Sequence, residues 1–420
     1  MKIRRVVVLD LFTYKKFLIS MLMVFLPSSS FAQQSQTETI THLTPPSIAD
    51  LPLIMDTATA GPIRVDLVTD GLSHPYGMVF LPNGDMLITE RAGRVRILRD
   101  GILLPDPVPG APDIRARRLS GLQDIALHPN FSENQLVYLS YSKPGVDEPD
   151  AEAEEPTRPS LTLARGRFDG TAFHDMHEIF SAGPAANGGS RLLFAPDGSL
   201  FMSAGGAFTV PISAHRAQDL NDHIGKLLRL NDDGSAHPDN PFTGALDTKP
   251  EIYSLGHRNQ QGLAINPRTG DLWAVEHAPQ GGDELNIILP GRNYGWPLVS
   301  YARDYAGSRI TQIPWQAGLE QPTVFWVPSI GPSGLTFYTG DKFPRWQGDV
   351  FVGSLRTGTL RGTGHLERID LNEQDQEIAR EWLLEEFKQR IRDVRQGPEG
   401  YLYVLTEAED AALLKLSPVE

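Results

Sequence analysis

The sequence predicts an all-β fold, a six-bladed β-propeller with four-stranded blades. The first observation behind this is a recurring phrase: an apolar pair, Pro, Asn or Asp, Gly, then an alternating strand. It stands at Met78–Ile88, Leu192–Phe201 and, in a variant form, Val394–Val404. Looser copies at Ile125–Tyr141, Gly262–Val275 and Gly334–Leu355 bring the number to six. The second observation is spacing: the copies start roughly 45 to 70 residues apart, which suits one four-stranded blade plus a loop. The third is that each Pro-Asn/Asp-Gly supplies a turn whose glycine tolerates positive φ, so each copy is a hairpin. An open β-sandwich does not explain why the turn recurs at the same point of the strand pattern. No long helical periodicity competes, and only Glu377–Lys388 reads as a short helix.

The elements before the first blade have a different character. Arg4, Arg5, Lys15 and Lys16 precede an apolar run, Phe17–Leu26, and then Pro27-Ser28-Ser29-Ser30-Phe31-Ala32, a small-residue cleavage context. Residues 1–32 thus read as a signal peptide whose apolar part is too short to span a bilayer. Export to a periplasm, or secretion, follows, with no membrane insertion after cleavage. Residues 33–57 are polar and Pro-bearing and read as a mobile leader, which leaves 58–420 for a single propeller domain. Asp147–Arg158 and Tyr301–Gln321 read as insertions between strands.

Charge and composition exclude whole classes of function. With 52 acidic against 38 basic residues, a net charge of −14, the chain lacks the basic stripe of a non-specific nucleic-acid binder. It has no Cys, so disulfides, thiolate nucleophiles and thiolate metal sites are excluded.

The most unusual residues cluster in Glu251–Pro297. Two polar loops, Arg258-Asn259-Gln260-Gln261-Gly262 and Glu276-His277-Ala278-Pro279-Gln280-Gly281-Gly282-Asp283-Glu284, bracket one hairpin. Loops of this kind present Arg, Asn, carbonyl and carboxylate groups together, which suits an anionic ligand, a hard cation, or both. Arg390 and Arg392 alternate on one strand and so face the same side, as a clamp would. Taken alone, Arg258 and Asn259 also fit a structural role, tying blades together through carbonyls.

Several ordered motifs resemble one family. Gly121-Leu122-Gln123-Asp124-Ile125-Ala126-Leu127-His128-Pro129-Asn130-Phe131, Gly225-Lys226-Leu227-Leu228-Arg229-Leu230, Leu255-Gly256-His257-Arg258-Asn259 with Gln261-Gly262, Gly282-Asp283-Glu284, Asn293-Tyr294-Gly295-Trp296-Pro297 and Arg390-Ile391-Arg392-Asp393-Val394 resemble the soluble PQQ-dependent aldose sugar dehydrogenases, the glucose/sorbosone dehydrogenase family. The resemblance runs in order from about Leu67 to Leu416. It implies a six-bladed propeller in the periplasm, pyrroloquinoline quinone (PQQ) and calcium as cofactors, a small-molecule sugar as substrate, an external electron acceptor, and a monomer or homodimer. By the same resemblance Arg258 and Asn259 lie beside the quinone, Arg390 and Arg392 bind its carboxylates, and the carbonyls of Ala278 and Pro279 hold calcium. Arg356 stands where the family usually has Lys.

The departures are as informative. The family's general base, a His, is replaced by Asn187, and an amide cannot accept a proton at neutral pH. Leu119 replaces a Gln of the same pocket, Gly206 an Asp, and Gln260 a Pro. Three readings result. The first is an exported quinoprotein that oxidises the C1 hydroxyl of an aldose to a lactone. The second is a PQQ- or sugar-binding propeller without catalysis. The third is a calcium-dependent propeller lactonase, since fold does not fix function.

The remaining polar residues have plain structural readings. His128, His257 and His277 read as satisfied structural histidines, and Asp283 and Glu284 as either orienting the calcium loop or capping a turn. His174, His177, His215 and His223 are candidates for a relocated base. Asp219 and Asp222 read as loop residues, one of them pairing with Lys226.

Overall fold

The computed structural model describes residues 47–116, 120–144, 159–184, 188–207 and 216–419. The chain divides into two units, 1–44 and 45–420, and the first lies outside the described residues together with the expected signal peptide. All six sheets belong to the second unit. The acidic insertion Asp147–Arg158 is also outside the described residues.

Each copy of the sequence phrase is the first hairpin of one antiparallel sheet. Blade one is Pro75–Phe80, Met86–Glu90, Arg94–Arg99 and Ile102–Leu103. Blade two is Leu122–Leu127, Leu136–Lys143, Ser160–Phe168 and Phe173–Pro184. Blade three is Leu192–Phe194, Leu200–Ala204, Lys226–Leu230 and Ile252–Leu255. Blade four is Gln260–Ile265, Leu272–Glu276, Asp283–Ile288 and Val324–Trp326. Blade five is Pro332–Phe337, Val350–Ser354, Leu366–Leu371 and Glu377–Leu383. Blade six joins Ile391–Gln396, Leu402–Thr406 and Ala411–Pro418 to Ile63–Leu72, so both ends of the propeller meet in one sheet.

The turns repeat in their hydrogen bonds as well as in sequence. The N–H groups of Gly84, Gly198 and Gly400 donate to Leu81, Ala195 and Gly397 carbonyls, each three residues back. All three glycines sit at positive φ, between +86° and +91°, where a side chain would be strained. The first strands close a ring, since each touches the first strand of the next blade and blade six touches blade one.

The core is divided among the blades rather than gathered at the centre. Six apolar clusters fill the six gaps between neighbouring blades, and the cluster of Leu72, Met78, Ile88, Leu405 and Leu413 seals blade six to blade one. Burying the faces of every sheet against its neighbours leaves the axis to polar groups and backbone ends.

Two expectations need revision. The stretch read as the end of a mobile leader forms a strand, Leu53–Met55, paired with Ile63–Val65 as a fifth strand on blade six. Ile48, Leu51, Leu53 and Met55 pack on the cluster between blades five and six, so apolar side chains hold this segment despite its polar, Pro-rich context. The helix expected over Glu377–Lys388 is the outer strand Glu377–Leu383 followed by a short 3-10 turn, Glu385–Phe387. Its charged residues gave a helix-like pattern because an outermost strand exposes most of its length.

Candidate functional site

Every first strand begins, and every second strand ends, at the same face of the ring. The hairpin turns therefore lie at the opposite face, and the irregular connections collect where the strands begin. This face holds a cavity of about 820 Å³. Volume on that scale accommodates a bound organic molecule. His74, Pro75 and Tyr76 of blade one, Asn259 and Gln261 of blade four, Gly331 of blade five, and Arg390 and Arg392 of blade six line it from strand starts. Arg91, His277, Leu355, Arg356 and Glu407 line it from just beyond second strands.

The blade-six wall is a cluster of guanidinium groups around one carboxylate. Arg390 Nε donates to Glu407 Oε2, which also lies 3.6 Å from Arg392 Nη2. Glu407 Oε1 stands 3.7 Å from Arg91 Nη1 and 3.5 Å from His74 Nδ1. Burial would raise the Glu407 carboxyl, but Arg392 and Arg390 hold it below the usual carboxylate range. The Arg392 guanidinium is almost fully buried, its centre 5.3 Å from the Tyr76 ring, and among the described residues its Nε has no hydrogen-bond partner. Burial lowers the affinity of Arg392 for its proton, and Glu407 offsets that only in part.

The blade-four wall is built by the two loops that bracket its first hairpin. Arg258 is 3 % exposed, its backbone N–H donates to Glu276 Oε2 at 2.7 Å, and its Nη1 donates to the His277 carbonyl at 2.9 Å. Asn259 Oδ1 accepts from Gly189 N–H at 2.8 Å, fixing its amide across blades three and four. A side chain at Gly205 would meet that same oxygen at 2.2 Å, so the approach requires glycine. Asp283 anchors the second loop: its Oδ1 accepts from Ala278 N–H at 2.8 Å, and its Oδ2 accepts from Ser329 Oγ and from the N–H groups of Ile330 and Gly331 at 2.9 and 2.8 Å. Ala278 and Pro279 line the cavity, and among the described residues no hydrogen bond is donated to either carbonyl. A fixed backbone with two unused carbonyl oxygens is suited to a hard cation.

Beneath the cavity lies a second, fully paired cation. Arg191, 1 % exposed, stands 3.3 Å from Asp124 Oδ1 and 3.4 Å from Asp393 Oδ1, and its Nη2 donates to the Arg392 carbonyl at 3.1 Å. Its guanidinium lies 4.6 Å from the centre of the Tyr76 ring, which the Arg392 guanidinium also approaches at 5.3 Å.

Thus Arg258, Asn259, Arg356, Arg390, Arg392, Ala278 and Pro279, the cofactor and metal residues expected from sequence, share one cavity. Asn187, Leu119 and His215 lie outside the described residues, while Gly188 and Gly189, next in sequence to Asn187, line the cavity. Gly206 is buried at φ +121°, and its N–H donates to the Arg258 carbonyl at 3.2 Å. Of the relocated-base candidates that are described, none lines the cavity: His223 pairs with Glu251 at 2.9 Å, His174 with Asp169 at 2.7 Å, and His177 Nδ1 meets the Asp175 carbonyl. His128 stacks on Tyr138, and His257 bridges Ser254 and Glu276, both structural as expected. His277, expected to be structural, lines the cavity while its Nε2 is held by the Pro332 carbonyl at 2.6 Å. Among the described residues Lys226 pairs with no carboxylate: its buried ammonium donates to the carbonyls of Arg216 and Ile224, while Asp222 is taken by Arg216.

Sequence reasoning missed Tyr76, Arg91, Arg303, Tyr305 and Glu407. A signal for part of this set exists: Arg91, His277, Leu355 and Glu407 each stand seven residues after the turn glycine of their blade, at Gly84, Gly270, Gly348 and Gly400. Second strands of equal length deliver that position to the same face. Arg303 and Tyr305 come from the insertion Tyr301–Gln321, tied back to the second loop by two backbone hydrogen bonds between Arg303 and Gln280.

Comparison with known proteins agrees with this geometry. Residues 72–415 match the model of the family described as Glucose / Sorbosone dehydrogenase. The chain is 39% identical to the aldose sugar dehydrogenase YliI of Escherichia coli (strain K12) over 365 residues, 86% of this chain and 94% of that protein. The crystal structure of the soluble aldose sugar dehydrogenase from Escherichia coli in the apo-form superposes with a TM-score of 0.77 at 37% identity, covering 85% of this chain and 100% of that one. The PQQ-bound form of the aldose sugar dehydrogenase from Streptomyces coelicolor gives a TM-score of 0.66 at 26% identity, covering 84% and 98%. The chain belongs to the glucose/sorbosone dehydrogenase family.

Proposed function

We propose that this protein is an exported quinoprotein dehydrogenase that oxidises the C1 hydroxyl of an aldose to a lactone with PQQ as its oxidant. The observation that carries the reading is convergence: five side chains suited to an anionic quinone and two unused carbonyls suited to calcium line one cavity. The donor set fits both groups. Planar guanidinium forks match carboxylates in pairs, and the buried, unpartnered Nε of Arg392 is a donor waiting for an acceptor. Ala278 and Pro279 offer neutral oxygens to a divalent ion, which the cofactor's own oxygens would complete. Among the described residues no three His, Asp or Glu side chains gather into a metal site, and none is needed for a carbonyl-held ion.

When bound, PQQ with calcium would supply a two-electron oxidant for the C1 hydroxyl of the sugar. In this reading Arg390 and Arg392 hold carboxylates, with Glu407 keeping the two guanidinium groups apart and oriented. Arg258 and Asn259 position the reacting face, held by Glu276 and Gly189. Arg356 supplies a further positive charge at the place of the family's Lys. Export rests on the signal-peptide pattern of residues 1–32, and no described helix is long and apolar enough to cross a membrane.

The test is reconstitution with calcium and PQQ followed by dye reduction with a panel of aldoses. Calcium-dependent PQQ binding with sugar-dependent reduction is expected, and bound PQQ with no reduction by any sugar would remove the dehydrogenase reading. A second reading, a binding propeller without catalysis, is favoured by Gly206, where the usual carboxylate is absent, together with Asn187 and Leu119. An Asn187→His variant separates the two. If it reduces dye at least ten times faster than the native chain, the native protein lacks its base; a native rate that is sugar-dependent and that the variant does not exceed retires the second reading.

A further inference from the structure

The cavity carries far more positive charge than an anionic quinone requires. Among the described residues six arginines line it, Arg91, Arg258, Arg303, Arg356, Arg390 and Arg392, against one acidic residue, Glu407. This occurs in a chain of net charge −14, so it is not a by-product of a basic protein. Glu407 is shared among Arg390, Arg392 and Arg91 and offsets one charge of those three. With a tricarboxylate quinone and a divalent ion in place, the balance is still positive.

The surplus has a definite location. Arg303 is an exposed residue of the cavity mouth, and its Nη1 donates to the Gly307 carbonyl at 3.0 Å. Among the described residues it makes no ion pair with an acid; the neighbouring Asp304 carboxylate instead accepts from Tyr305 N–H at 2.7 Å and does not line the cavity. Its backbone is pinned on both sides, because Gln280 N–H donates to its carbonyl at 3.1 Å and its own N–H donates to the Gln280 carbonyl at 3.0 Å. Gln280 Nε2 donates to the Tyr305 carbonyl at 3.1 Å as well. An arginine fixed by its backbone, presented at a mouth and left without a carboxylate is a recognition element for an incoming anion.

We infer that the preferred substrate is an aldose bearing an anionic group, a carboxylate or a phosphate, read by Arg303 at the mouth of the cavity. The inference rests on the dehydrogenase reading, since it names the substrate class of the same site. The charged substituent is held away from C1, so the reacting carbon enters while the anion stays at the rim. Steering by a like-signed cluster of this size raises association of an oppositely charged ligand by roughly 10-fold or more at low salt.

The experiment uses the full protein loaded with calcium and PQQ. Glucuronate and glucose 6-phosphate are compared with glucose by kcat/KM in dye reduction at low and at high ionic strength. Gluconate and sorbitol, an acid and a neutral polyol without an aldose C1, are compared by calorimetric binding. The expected result is a preference of about 10-fold or more for an anionic aldose at low salt, shrinking as salt screens the cluster. Whether the carboxylate or the phosphate arm leads decides between the two anions. Gluconate should bind more tightly than sorbitol, and Arg303→Gln should cut the anionic-to-neutral ratio about 5-fold or more, with Arg303→Lys restoring part of it. Equal or better use of glucose, with gluconate binding no tighter than sorbitol, overturns the inference and leaves the dehydrogenase standing. Failure of PQQ to bind at all brings down both together.

Discussion

Arg191 and Arg392 both approach one ring, that of Tyr76, and their surroundings are opposite. Both are buried. Arg191 has Asp124 and Asp393 within 3.4 Å, so although burial lowers its proton affinity, those two carboxylates raise it above the ordinary value. Arg392 has Glu407 at 3.6 Å, already claimed by Arg390, and its Nε has no partner. Under the proposed function, the difference separates a cation that the fold has matched for its own stability from one left for a ligand. A buried guanidinium whose counter-charges are all internal holds blades together, whereas one facing a cavity without its full complement is an anion site.

The comparison breaks most visibly at Arg191. An Arg191→Met variant leaves the buried Asp124 and Asp393 with Arg395 alone, at 3.8 and 3.1 Å, and also strips the Arg392 and Gln261 carbonyls of a donor. A loss of about 3–5 kcal/mol is expected, read as a lowered denaturant midpoint. A midpoint unchanged from the native chain would mean that the aspartates find other partners and that Arg191 is not the keystone of the ring's centre.

Next in size is Asp283, which matches four donors at once. Asp283→Asn turns an amide NH2 toward N–H groups and frees the loop bearing Ala278 and Pro279. A stability loss of about 1–3 kcal/mol is expected, with a loss of calcium affinity larger than the loss of stability explains. If calcium titration is the same in both proteins, the loop does not hold the ion.

Arg392→Met sharpens the contrast from the other side. Because the residue is underpaired, its replacement by an apolar side chain should change the denaturant midpoint by less than about 1 kcal/mol. PQQ affinity should fall by about 10-fold or more, since a charge-assisted hydrogen bond is lost. A stability loss as large as that of Arg191→Met would place Arg392 among the structural cations instead.

These residues also show what is readable in the sequence and why. The hairpin turns are legible because each needs a glycine at positive φ at a fixed point, as at Gly84, Gly198 and Gly400, and turn chemistry is local. Those turns lie at the face away from the cavity. The working residues sit at strand starts and just past second strands, where no local rule selects a residue type, so Arg91 and Glu407 left no mark beyond their distance from the turn glycine. Arg390 and Arg392 were legible as a same-side pair from strand alternation and Arg258 and Asn259 as members of a polar loop, but their part in a cofactor site came only through ordered resemblance to a family. The outer strand Glu377–Leu383 misled because exposure on both faces removes the alternation that marks a strand. Pairings formed across blades, such as Arg191 with Asp124 and Asp393, depend on the ring closing and have no signature in local spacing.

A third buried cation completes the contrast, and its effect is read through pH. Lys226 is fully buried, and its ammonium donates to two carbonyls but to no carboxylate. Burial pulls its pKa down to about 7 from 10.5, with Asp222 and Asp219 opposing. An arginine cannot answer burial by losing its proton, but a lysine can. Between these two values the unfolded chain holds a proton that the folded chain has released, so raising the pH through the window favours folding, and the gain is lost as pH falls toward 7. A rise of roughly 2 kcal/mol in stability between pH 7 and pH 9 is expected from this group, and Lys226→Met should flatten it. Urea midpoints of both proteins at the two pH values decide the matter: equal slopes would mean that Lys226 keeps its proton when folded, and that two carbonyls are counter-charge enough for a buried ammonium.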